Sequence, residues 1–134
     1  MMSSRRTIKI GARGWIGVDL DGTLAMHRAY CDSEPIGPPV PAMLDRVIAW
    51  LEQGIEVRIL TARVGESGKM LSNGRRDDAT VADEQRALIG AWCLQHLGRV
   101  IPITATKDAF MRSLWDDRAV RVERNTGRIV GDAD

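Results

Sequence analysis

The sequence predicts an α/β fold, a single Rossmann-like parallel sheet flanked by helices. Three observations carry that expectation. Short apolar runs alternate along the chain with longer segments of helical period, the order that gives a parallel sheet covered by helices. The first run, Trp15-Ile16-Gly17-Val18, has no polar alternation and reads as a strand buried on both faces. Charged and hydroxyl residues gather just after the apolar runs, where the carboxyl ends of parallel strands form a ligand crevice.

Residues 1–6 (MMSSRR) read as a loose tail, and 7–134 as one domain. Thr7–Ile10 is a candidate short strand, and Trp15–Leu20 the first core strand. Residues 25–40 hold Pro35, Pro38 and Pro39 and read as a loop. Pro41 suits a first helical turn, and residues 43, 44, 47, 48 and 51 repeat as one face of a helix over Ala42–Gln53, stopped at Gly54. Ile55–Leu60 is the second strand. The glycine-rich stretch 64–78 is a polar loop. Residues 80–97 form a second helix, with Val81, Leu88, Ala91, Trp92 and Leu94–Leu97 on or near its apolar face, Asp78 or Thr80 as a cap and Gly98 as its stop. Val100–Ile103 is the third strand, Asp108–Arg112 a helical turn, and Ser113–Trp115 a fourth strand. Asn125-Thr126-Gly127 reads as the turn of a C-terminal β-hairpin between 119–123 and 128–130.

Composition narrows the functional classes. A net charge of +1 over 134 residues gives no bulk attraction to nucleic acid, although a local basic patch stays open. No apolar run approaches the length of a membrane span, and Met1–Arg6 lead into no apolar segment of a signal peptide. Cys31 and Cys93 stand far apart without metal-binding spacing and read as free thiols. A cytoplasmic location, with no membrane partner, is the expectation.

The chemistry collects at the strand ends. The first strand ends in Asp19-Leu20-Asp21, the second in Thr61-Ala62-Arg63. The third is followed by Thr104, Thr106 and Lys107, and the fourth by Asp116-Asp117-Arg118. Asp19 and Asp21 are two apart, so extended backbone points both the same way. Several carboxylates in one pocket are tolerable mainly around a cation, and oxygen-only ligands favour a hard ion such as Mg²⁺. Carboxylates with a lysine and a hydroxyl also form the equipment of phosphoryl transfer. Alternatives stand beside this reading: a calcium loop at 19–30, which Leu24 and Tyr30 contradict at its glycine and glutamate positions; a solvated turn at 116–118; a surface Lys107; a turn-capping Thr61. Arg63 reads equally as a phosphate ligand or a loop salt bridge. His27 reads as a loop histidine, with substrate contact as the alternative.

In this order the motifs resemble those of the haloacid dehalogenase-like phosphohydrolase superfamily. They are Asp19-Leu20-Asp21-Gly22-Thr23 for DxDx[TV], Thr61 after VRIL, then Lys107, and Leu114-Trp115-Asp116-Asp117 as the acidic pair. The resemblance implies a Mg²⁺-dependent phosphatase. Asp19 would be the nucleophile, passing through an aspartyl-phosphate, and Asp21 the general acid and base. Thr61 and Lys107, with Arg63 as a further candidate, would hold the phosphoryl group. Asp19, the main-chain carbonyl of Asp21 and Asp117 would hold the metal, with Asp116 in support. The gaps at 25–40 and 64–79 are too short for a folded cap domain, so the chain is similar to short capless members of bacterial and phage type. An open site fits a phosphorylated small molecule or a macromolecular end. Lys69, Arg75 and Arg76 lie on the loop where a cap would stand. A polynucleotide 3′-phosphatase and a non-catalytic binding or regulatory domain are the competing readings.

Overall fold

The computed structural model describes residues 13–27, 35–65 and 78–131. The tail at 1–6, the candidate strand at 7–10, Cys31 and the basic residues Lys69, Arg75 and Arg76 lie outside the described residues.

The chain forms β1 (Trp15–Val18), α1 (Pro41–Glu52), β2 (Val57–Leu60), a 3₁₀ turn (Ala62–Val64), α2 (Asp78–Leu97), β3 (Ile103–Thr104) and β4 (Met111–Trp115). The sheet order is β3-β2-β1-β4, and every pairing is parallel. The α/β expectation therefore holds. β1 is central, and all four of its residues are buried. Successive side chains on a strand point to opposite faces, so both faces of β1 are covered. Val18, Val57 and Ile59 meet Met43 and Val47 of α1 and Ile89, Trp92 and Cys93 of α2 in one apolar core.

Several elements differ from expectation, for physical reasons. β1 stops two residues early because the chain turns back on itself, with the Leu24 and Ala25 N–H groups donating to the Leu20 carbonyl. β3 covers 103–104 rather than 100–103. Pro102 accepts from the Ile59 N–H at 2.8 Å but has no N–H to return, so regular pairing begins after it. The helical turn expected at 108–112 is a tight turn: the Asp108 carboxylate accepts the Phe110 N–H at 2.8 Å, and β4 starts at once. The buried face of α2 is Ile89, Trp92 and Cys93, whereas Leu88 and Leu94 are exposed.

The C-terminal segment carries one antiparallel bridge, Val122 to Ile129, and no paired strands. Val120, Val122, Ile129 and Val130 are all exposed. A two-stranded ribbon with no buried face is marginal in water, so the expected hairpin is not established.

Two features of this topology set up the site. β1 has β2 on one side and β4 on the other, and the chain builds outward to β3 before returning to β4. The strand order therefore reverses at β1, where α/β sheets hold ligands. The return from β3 to β4 uses only residues 105–110, shorter than the usual helical crossover.

Candidate functional site

Three carboxylates meet at the switch point. Asp19 follows β1, and Asp116 and Asp117 follow β4; one oxygen from each lies within 4.8 Å of the others. The parallel pairing of Val18 with Trp115 and the hydrogen bond from the Asp19 N–H to the Trp115 carbonyl, 2.9 Å, bring the two strand ends together. Burial pushes the Asp19 carboxyl from its ordinary 3.8 up to about 7. The charge of Asp116, a side-chain hydrogen bond with Asp117 and the charge of Asp117 add to the rise, against one backbone N–H at Leu20. Such a group lacks compensating positive charge. Three oxygen donors of this kind could hold a hard cation.

The turn after β1 shapes the cluster. Gly22 has φ +89°, and a Cβ there would stand 2.6 Å from Asp117 Oδ2. Glycine is thus required twice, for the left-handed backbone and for room beside Asp117. Thr23 Oγ1 accepts the Asp117 N–H at 3.0 Å. It lies 3.1 Å from Asp117 Oδ1 and 3.4 Å from Asp19 Oδ2, and its single proton can serve only one of them at a time. Thr23 therefore ties the first loop to the acidic pair.

Asp21 is not in the cluster. Its carboxylate is gripped by Arg63, with Nε to Oδ2 at 2.6 Å and Nη2 to Oδ1 at 2.9 Å. His27 Nδ1 stands 3.5 Å from Oδ1. Arg63 Nη1 donates to Gln85 Oε1 of α2 at 3.1 Å, and the Arg63 side chain is 5% exposed. Of the two sequence readings of Arg63, the geometry gives the salt bridge.

Thr61 is buried one residue past β2, and its Oγ1 accepts the Arg63 N–H at 3.2 Å, capping the 3₁₀ turn. Lys107 is exposed, on the short return from β3, and forms no ion pair or hydrogen bond with the acidic cluster among the described residues. Its neighbour Asp108 accepts from Trp15 Nε1 at 2.9 Å, so the backbone at Lys107 is already leading away toward the start of β1.

Sequence reasoning had not assigned roles to Thr23 and Gln85. Thr23 carried a signal, since it stands four residues from Asp19 inside the same short motif. Gln85 carried none, because a glutamine on a helix is ordinary until its neighbour across space is known.

Compared with protein-family models, with curated proteins and with solved structures, the chain matches none. Three clustered carboxylates at a parallel-sheet switch point, beside a fourth carboxylate held by an arginine and a buried threonine hydroxyl, could supply cation binding, a nucleophilic oxygen and a separate proton carrier.

Proposed function

We propose that the protein is a Mg²⁺-dependent phosphatase of the haloacid dehalogenase-like type, hydrolysing a phosphomonoester through Asp19. The observation that carries this reading is the junction of Asp19 with Asp116 and Asp117 at the carboxyl edge, with Asp19 pushed up to about 7. A carboxylate cluster so poorly compensated fits a cation and an anionic phosphoryl group brought together.

Asp19, the Asp21 main-chain carbonyl and Asp117, supported by Asp116, would hold Mg²⁺. When bound, the ion supplies positive charge that favours ionised Asp19 and offsets the phosphoryl oxygens. An Asp19 oxygen attacks phosphorus, and the bond to the leaving oxygen breaks. Asp21 gives that oxygen its proton. Asp21 then takes a proton from water, whose oxygen attacks the phosphorus of the aspartyl-phosphate and restores the Asp19 carboxylate. Thr61 Oγ1 donates to the phosphoryl group. Lys107, which has no side-chain partner among the described residues, is the cation that the motif order assigns to it.

The test is hydrolysis of 4-nitrophenyl phosphate with Mg²⁺ by wild type and by Asp19→Asn. The variant is expected to lose at least about 10³-fold in kcat, as for removal of other nucleophiles. Equal turnover by the two proteins would overturn the reading.

A further inference from the structure

We infer that Arg63 is a positioning residue for the proton carrier, and that Gln85 braces it. The inference deepens the phosphatase reading and rests on it. Arg63 reaches Asp21 by a planar fork with two hydrogen bonds, 2.6 and 2.9 Å. Such a fork fixes the carboxylate plane as well as its location, which a lysine cannot do. A carboxylate has about four lone-pair sites, so the fork leaves others open for a proton in transit.

The fork is itself fixed from two directions. Gln85 Oε1 takes Nη1 at 3.1 Å from α2. The Arg63 backbone N–H is held by Thr61 Oγ1 at 3.2 Å, within the 3₁₀ turn that follows β2. Asp21, by contrast, sits in the turn after β1. Without Arg63, its side chain would be set by its own two torsions and by His27 at 3.5 Å. Proton transfer in a transition state needs the carrier within hydrogen-bond reach of the leaving oxygen, and small misplacements there are costly. Arg63 thus aligns Asp21 with its Nε, Nη1 and Nη2 already engaged by Asp21 and Gln85, a role different from phosphate binding.

The two roles separate by leaving group. 4-Nitrophenolate departs readily without a proton, whereas an alkoxide needs one. In Arg63→Gln, hydrolysis of a primary alkyl phosphate is expected to fall about 10²-fold, the scale of a lost general acid. Hydrolysis of 4-nitrophenyl phosphate should fall less than about fivefold on the same ground. Gln85→Leu, with Arg63 intact, should show the same asymmetry at smaller size, and Arg63→Lys should restore little of the loss. In the wild-type NMR spectrum the Arg63 Nε–H should give a protected signal that Asp21→Ala removes.

Equal losses on both esters, with weaker inhibition by inorganic phosphate, would overturn the inference in favour of a phosphate ligand. Equal losses with inhibition unchanged would overturn it in favour of a structural ion pair. Absence of the protected signal in an active wild type would remove the fork itself. A wild type that shows the signal but hydrolyses neither ester would sink the phosphatase reading, and the positioning role with it.

Discussion

At the start of the sheet, Asp108 accepts hydrogen bonds from Trp15 Nε1 and from the Phe110 N–H, with Arg58 3.6 Å away. These partners, Trp15 foremost, hold its carboxyl below the usual range. At the other end, Asp19 is pushed up to about 7 by burial and by Asp116 and Asp117. The two are the same residue type on one small sheet, at opposite ends of β1. At the start, each acid has donors or a cation: Arg58 also meets Glu56 at 2.7 Å and lies 4.5 Å over the Trp15 ring. At the finish, Asp19 and Asp117 share one donor hydroxyl, Thr23, and Asp116 accepts the Arg118 N–H at 2.8 Å. Crowding that raises Asp19 stabilises the fold less than the balanced pairing at the other end does, and the proposed cation site gives it a reason.

The comparison is most severely tested by disturbing the crowded end without removing a charge. Gly22→Ala would place a methyl group 2.6 Å from Asp117 Oδ2 on a backbone at φ +89°. The backbone strain costs about 1–2 kcal/mol, and displacement of Asp117 by an ångström is expected to lower kcat for 4-nitrophenyl phosphate about 10²-fold. Steady-state kinetics with a Mg²⁺ titration would check it. Full activity in Gly22→Ala would mean that the position of Asp117 is immaterial.

Much of this arrangement was legible in the sequence. An apolar run without alternation marked β1, and charged and hydroxyl residues after the apolar runs marked the edge, because strand geometry aims residues predictably. The meeting of Asp19 with Asp116 and Asp117 was expected from their places after apolar runs and from the resemblance, whereas the strand order that makes β1 and β4 neighbours was not read from the sequence. The partner of Arg63 was not legible, since residues 21 and 63 approach only once β1 and β2 pair. For Lys107 the sequence offered both a surface and a phosphoryl-binding position, and its exposure in the fold depends on how few residues return from β3 to β4. The start of β3 turned on the missing N–H of Pro102, a local effect that hydrophobic pattern does not encode.

A second test uses pH and metal removal together. The Asp19 carboxyl lies higher in the folded protein than its ordinary value of 3.8, so folding favours its protonated form. Its contribution is therefore full below about pH 4 and is lost as pH rises through about 7. Because Asp19 is only partly buried, solvent screening limits the effect to about 1–2 kcal/mol. In chelator, wild type should lose stability relative to Asp19→Asn between about pH 4 and 7, read as a difference in Tm; the shifted titration sets that window. Saturating Mg²⁺ should abolish the relative loss, since a ligand of the folded state stabilises it. Parallel melting curves in chelator would mean that the acids at this end are as well compensated as those at the other.

The smallest expected effect comes from the balanced end. Arg58→Ala removes the cation over Trp15 and the contacts to Glu56 and Asp108. The stacked cation contributes about 0.5–1 kcal/mol at an exposed site, and surface ion pairs add little more. Urea unfolding should show a loss of that size, shrinking in high salt as the charges are screened. Turnover of 4-nitrophenyl phosphate and its Mg²⁺ dependence should stay within about twofold, since distant sites act independently. The reason is topological. Trp15 Nε1 still fastens Asp108, and the Trp15–Met111 pairing still sets where β4 begins, so the positions of Asp116 and Asp117 at its far end are retained. If Arg58→Ala instead lost activity on the scale expected of Gly22→Ala, the charges at the start of β1 would be setting the register of β4. The two ends would then be one mechanical unit, and compensation at one would be a condition for the crowding at the other.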